Sequence, residues 1–208
     1  VPVTLSRSRP PKVAHPIARQ WVFAGDIRKD FEMPYEPFVE RFRELAWKET
    51  RSVTLGTGNQ FGLPADDYGL MELYCNDENC DCGRVMLDVL SRKRGQSVAV
   101  IAYGWESASY YQKWYGRANS AAAHMAINEM TGLNLNSASQ QSELAPAILE
   151  MVRWILTDSD YVDRLKRHYQ IFKEVVDPKH FRKSSSPGKT TAKASKSRKR
   201  HRPRSSDN

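Results

Sequence analysis

The spacing of apolar residues divides the chain into a helical opening, an extended middle and a helical second half. From Glu36 onward, Phe38, Val39, Phe42, Leu45 and Ala46 recur on one face, with Glu40, Arg41, Arg43, Glu44 and Lys48 on the other. That period predicts a helix over about residues 36–50. Gly56, Gly58, Gly62, Pro64 and Gly69 then predict a loop across 56–69. Next come three short apolar runs, Leu70–Tyr74, Arg84–Leu90 and Ser97–Tyr103, separated by turn-forming residues. Such runs predict an antiparallel meander.

Helical signals return after Trp105. Ser107 is placed to cap a short helix carrying Tyr110, Tyr111 and Trp114, with Gly116 at its end. Ser120 is placed to cap another through Met130, with Gly132 just beyond. Ser142-Glu143-Leu144-Ala145-Pro146 reads as a helix start, because proline is tolerated in a first turn where its missing N–H has no partner to lose. Thr157 or Ser159 opens a last helix, on which Tyr161, Leu165, His168 and Phe172 share one face. The order of elements predicts an α+β domain, a small antiparallel sheet packed against several helices.

Length and charge refine this division. A chain of 208 residues fits one domain with extensions. Residues 1–19 hold Pro2, Pro10, Pro11 and Pro16 with four basic groups and no acid, and read as a disordered basic lead. A single globular domain is expected over 20–177, its order starting near Gln20-Trp21-Val22-Phe23. The net charge of +8 is unevenly spread: residues 182–208 contain ten Lys or Arg and one acid, which leaves 22 basic and 23 acidic side chains in the rest. The segment 178–208 is therefore expected to be a disordered tail, since it has no apolar period to offset the entropy of ordering. Its densest part, Arg198, Lys199, Arg200, Arg202 and Arg204, is the candidate contact for the phosphates of DNA or RNA. A merely solubilising tail is the alternative. Tyr74, Trp105, Tyr110, Tyr111, Trp114 and Tyr115 are candidate stacking surfaces for single strands, although such aromatics more often belong to the core. The longest apolar run, Val98–Tyr103, is far short of the roughly 20 residues that span a bilayer, so no membrane partner is expected and the location is expected to be cytoplasmic.

All three cysteines fall in one stretch, Tyr74-Cys75-Asn76-Asp77-Glu78-Asn79-Cys80-Asp81-Cys82-Gly83. An odd number of thiols in a polar turn makes a poor disulfide framework, although a Cys75–Cys80 bridge is conceivable, and it makes a good soft-metal set. Thiolates favour zinc among the ions of a reducing compartment, and a structural zinc takes four ligands. His168 interrupts an apolar helix face and is the preferred fourth ligand; His124 is the second choice, with Asp81, water or a site of only three protein ligands after it. No His-x-Glu with Pro-Cys-x-x-Cys, no His-Glu-x-x-His and no phosphate loop is present, so a structural ion is favoured over a catalytic one. A carboxylate metal site from Asp66, Asp67, Glu72 and Asp88 is the weaker alternative.

Three further signatures accompany this loop. Tyr74-Cys75-x4-Cys80-Asp81-Cys82, Tyr103-Gly104-Trp105-Glu106-Ser107, Gln141-Ser142-x-x-Ala145-Pro146 and Leu165-Lys166-Arg167-His168-Tyr169 together resemble a group of bacterial proteins with no assigned activity. The resemblance spans roughly residues 70–175 and implies a shared small domain without implying a reaction. The expected function is a zinc-stabilised binding module whose basic tail contacts nucleic acid. The alternatives are a protein-interaction adaptor, with a protein as partner, and a zinc-dependent hydrolase.

Overall fold

The computed structural model describes residues 34–114 and 120–178. In chain order these form β1 (Tyr35–Pro37), α1 (Phe38–Arg41), α2 (Arg43–Glu49), β2 (Arg51–Leu55), β3 (Asp66–Cys75), β4 (Arg84–Ser91) and β5 (Gln96–Gly104). There follow α3 (Ala108–Trp114), α4 (Ala121–Met130), β6 (Gly132–Leu135), α5 (Ala145–Ile155) and α6 (Ser159–Val176). Every strand pairing is antiparallel, and β3, β4 and β5 make the expected meander. The fold is α+β, with the cysteines gathered at one end of the sheet.

Strand β3 organises the sheet. One edge pairs with β4, while β2 and β1 share the other, β2 along its beginning (Val53 opposite Tyr68) and β1 at its end (Tyr35 opposite Cys75). Alternate residues Leu70, Glu72 and Tyr74 of β3, with Val85, Leu87 and Val89 of β4, point to one face. The core joins these strand residues to Ile148, Met151, Val152 and Ile155 of α5 and to Tyr161, Leu165, Tyr169 and Phe172 of α6. Each such side chain contributes about 1.5–3 kcal/mol when fully buried. The face of α6 anticipated from its spacing is therefore the buried one.

Caps place several helices where the sequence puts them. Ser107 Oγ accepts from the Tyr110 amide, Ser120 Oγ accepts from the Ala123 amide, and Pro146 lies in the first turn of α5. The cap of α6 is Asp158, between the two residues expected, and its carboxylate accepts from the Asp160 amide. At two places the end of a strand needs a glycine. Gly83, φ +55, has no room for a Cβ against Glu106 Cγ, and a Cβ on Gly104 would overlap the Met130 carbonyl oxygen at the end of α4.

The opening helix is corrected. Residues 35–37 pair with β3, and the helix that follows breaks at Phe42, φ −125 and ψ 52. The break leaves Phe42 stacked on Phe38 at 4.8 Å and set against Phe172. The loop after β2 ends at Asp66, which opens β3. The proline-rich lead, the start near Trp21 and the basic tail with Arg198, Lys199, Arg200, Arg202 and Arg204 lie outside the described residues.

Candidate metal centre

The loop from β3 to β4 folds back so that its three sulfurs converge: Sγ of Cys75, Cys80 and Cys82 lie within 4.8 Å of one another. Cys75 ends β3, Cys82 stands just before β4, and Asn79 takes the left-handed conformation, φ 70, that turns the chain back between them. Cys75 and Cys82 are buried and all three cysteines are free, so the conceivable Cys75–Cys80 bridge is not formed. Three cysteines so close together have the donor chemistry to hold a metal ion.

Helix α6 grips this loop through its last turns. Lys173, fully buried, donates from Nζ to the Asp77 carbonyl at 2.7 Å and to the Cys75 carbonyl at 3.4 Å. The Asn79 amide donates to Asp177 Oδ2 at 2.7 Å. From the other side, the Gly83 amide donates to the Tyr169 hydroxyl, and the Gly83 carbonyl accepts from the Tyr111 hydroxyl and the Trp105 amide. Tyr110 donates to the Asp81 carbonyl at 2.8 Å. The backbone of the loop is thus fixed by α3, β5 and α6 together, and the sulfurs are left facing one another.

Their electrostatics follow from that arrangement. The Cys75 thiol is pushed far below the ordinary cysteine range, chiefly by hydrogen bonds from the thiols of Cys80 and Cys82, with the Asp77 backbone and the Lys173 ammonium adding to the effect. Cys80 is pushed up by its bond to Cys75, and Cys82 is pushed up by its bonds to Cys75 and Cys80. The three thiols hydrogen-bond to one another. A soft cation would replace the shared protons, because thiolate is the ligating form. A buried ammonium also needs negative charge beside it, and this cluster supplies it for Lys173.

His168 does not join the sulfurs, which corrects its expected role as fourth ligand. Its Nδ1 lies 2.6 Å from Glu72 Oε2 and its Nε2 3.1 Å from Glu49 Oε2. The ring stacks on Phe38 at 4.4 Å, and the Tyr74 hydroxyl shares its one proton between Glu72 Oε2 at 2.8 Å and the Leu165 carbonyl at 3.0 Å. A histidine on an apolar helix face has here found one buried carboxylate, Glu72, and one partly exposed, Glu49, with both nitrogens engaged. His124 lies exposed on α4, and neither it nor Asp81 belongs to the group that converges with the sulfurs.

The carboxylate alternative disperses as well. Asp66 accepts from Ser91, Asp67 from Thr54 and Arg92, and Asp88 from Ser97, while Glu72 serves His168. Of the suggested stacking aromatics, Tyr74 and Tyr111 are wholly buried and cannot meet a base. Sequence reasoning missed Lys173 and Asp177. Their signal was faint, a Lys and an Asp four residues apart at the end of an amphipathic helix.

No helix among the described residues is long and apolar enough to cross a membrane. No family model matches the chain, and comparisons with curated proteins and with solved structures give no match.

Proposed function

We propose that the chain is a zinc-stabilised binding module. One observation carries this reading: three sulfurs within 4.8 Å of one another, beside a fully buried lysine that has no carboxylate partner among the described residues. Zinc fits the donor set because three thiolates bind a borderline-soft ion tightly and zinc accepts tetrahedral sites without redox chemistry. The ion ties the end of the meander to α6. Burial of Cys75 and Cys82 supports a structural over a catalytic ion. The basic segment 182–208 gives the module its attraction to nucleic acid, on grounds of charge alone.

Elemental analysis of the purified chain is expected to find one zinc per molecule, and chelation is expected to lower its melting temperature. A compact protein that binds no transition metal would refute the reading. Deletion of residues 182–208 is expected to abolish salt-sensitive binding to duplex DNA or RNA and leave zinc content unchanged. Binding that survives the deletion would assign the tail a solubilising role, as the adaptor alternative requires.

A further inference from the structure

The three sulfurs leave one side of a tetrahedral ion to be filled, and among the described His, Cys, Asp and Glu side chains no fourth donor converges with them. A different residue type stands beside them. Tyr35 of β1 lies directly opposite Cys75 of β3, and directly opposed residues of antiparallel strands project to the same side about 4.5–5.5 Å apart at Cβ. The pairing is locked one residue further on, where the Asn76 amide donates to the Pro34 carbonyl at 2.7 Å.

The phenol of Tyr35 interacts electrostatically with Cys82, Cys75 and Cys80 alike. Its hydroxyl makes no hydrogen bond among the described residues. The other tyrosines around the loop are committed elsewhere: Tyr169 and Tyr111 to Gly83, and Tyr110 to the Asp81 carbonyl. We propose that Tyr35 supplies the fourth donor of the metal centre, its phenol oxygen completing a set of three sulfurs and one oxygen.

Charge supports the assignment. Three thiolates and one phenolate around a divalent ion leave two negative charges, and two cations flank the cluster. Lys173 reaches it from α6. Arg84, the second residue after Cys82, adjoins the Tyr35 phenol, and its Nε is buried without a hydrogen-bond partner. Two cations against two residual negative charges close the balance. On ligation the hydroxyl proton passes to solvent and the oxygen lone pair to the ion. A bound cation favours the ionised phenol.

This assignment rests on the metal centre proposed above, and the test separates the two. Reduced, metal-free full-length chain is titrated with Zn2+ while the tyrosinate absorption band and the zinc affinity are followed. The wild type is expected to gain one tyrosinate per zinc. Tyr35→Phe, which keeps the ring, is expected to bind zinc without the band. Loss even of outer partners lowers metal affinity by about 10–100-fold, so loss of a direct donor is expected to cost at least about tenfold. Tyr169→Phe is expected to keep the band. Zinc binding by the wild type with no tyrosinate signal, or equal affinity in Tyr35→Phe, would overturn the assignment and point to water in the fourth position. A wild-type chain that takes up no zinc would refute the metal centre itself.

Discussion

Two clusters of polar side chains meet the buried side of α6, one at His168 and one at Lys173, and they differ in what the protein can satisfy alone. At His168 each ring nitrogen faces a carboxylate oxygen, Glu72 on β3 and Glu49 on α2, and Arg167 pairs with Glu49 at the surface. Donors and acceptors come from three elements and largely cancel. What is left over is Glu72 Oε1, the Tyr161 hydroxyl and Nε and Nη2 of Arg164, which are buried without hydrogen-bond partners among the described residues. At Lys173 the loop's backbone is equally well served, but the three sulfurs bond chiefly to one another. The first cluster meets most of its needs from protein groups. The second is a set of ligands held ready for an ion, and its stability should depend on what is added to the solution.

Mutations can separate the two. The largest effect is expected from Cys82→Ala, which should remove bound zinc and lower stability by several kcal/mol, because structural zinc contributes folding energy directly. Calorimetry with and without chelator checks it: chelation should bring the wild type down to the variant and leave the variant unmoved. His168→Leu should cost about 3–5 kcal/mol by stranding the buried Glu72 carboxylate. Here the loss should be the same in zinc-loaded and chelated protein. A loss that vanishes on chelation would return His168 to the metal.

Lys173→Met removes a charged donor from two carbonyls and should cost about 1.5–3 kcal/mol, more in the loaded chain than in the metal-free one. Unchanged zinc affinity would separate its packing role from its charge. The smallest effect concerns pH. Burial raises the Asp88 carboxyl above its ordinary value of 3.8, and the bond from Ser97 only partly offsets this. The folded chain therefore holds the proton more tightly than the unfolded one, so stability falls as pH rises from the ordinary aspartate range through the raised value. Denaturant titrations across that window should show a shallower fall for Asp88→Asn. An identical slope would discount the aspartate.

The parts of this structure that could be read from the sequence were those with a local cause. The meander shows in the apolar runs from Leu70 to Tyr103, and the cap at Ser120 is a property of a few neighbouring residues. The convergence of three thiols followed from their closeness in sequence and from the turn formers between them. What escaped was non-local. Strand β2 is five residues of mixed polarity and exists because β3 offers it an edge, and β1 is three residues ending in proline. Strand β6 begins at Gly132, which reads as the end of a helix. His168 was misassigned because its partners Glu49 and Glu72 lie 119 and 96 residues away, and acids at such distances look like solvated surface. Tyr35 passed unnoticed for the same reason, since only strand pairing brings it to Cys75.

The crowding at Gly83 and Gly104 bears on how kindred chains could be recognised. Neither position tolerates a side chain, because Glu106 occupies the space at one and the Met130 carbonyl occupies it at the other. A pattern of three cysteines, an immediately following glycine and a second glycine before a tryptophan would therefore select for this architecture even where overall identity has faded. A sequence with the thiols but a bulky residue at the second glycine would have to seat its α4 counterpart elsewhere on the sheet.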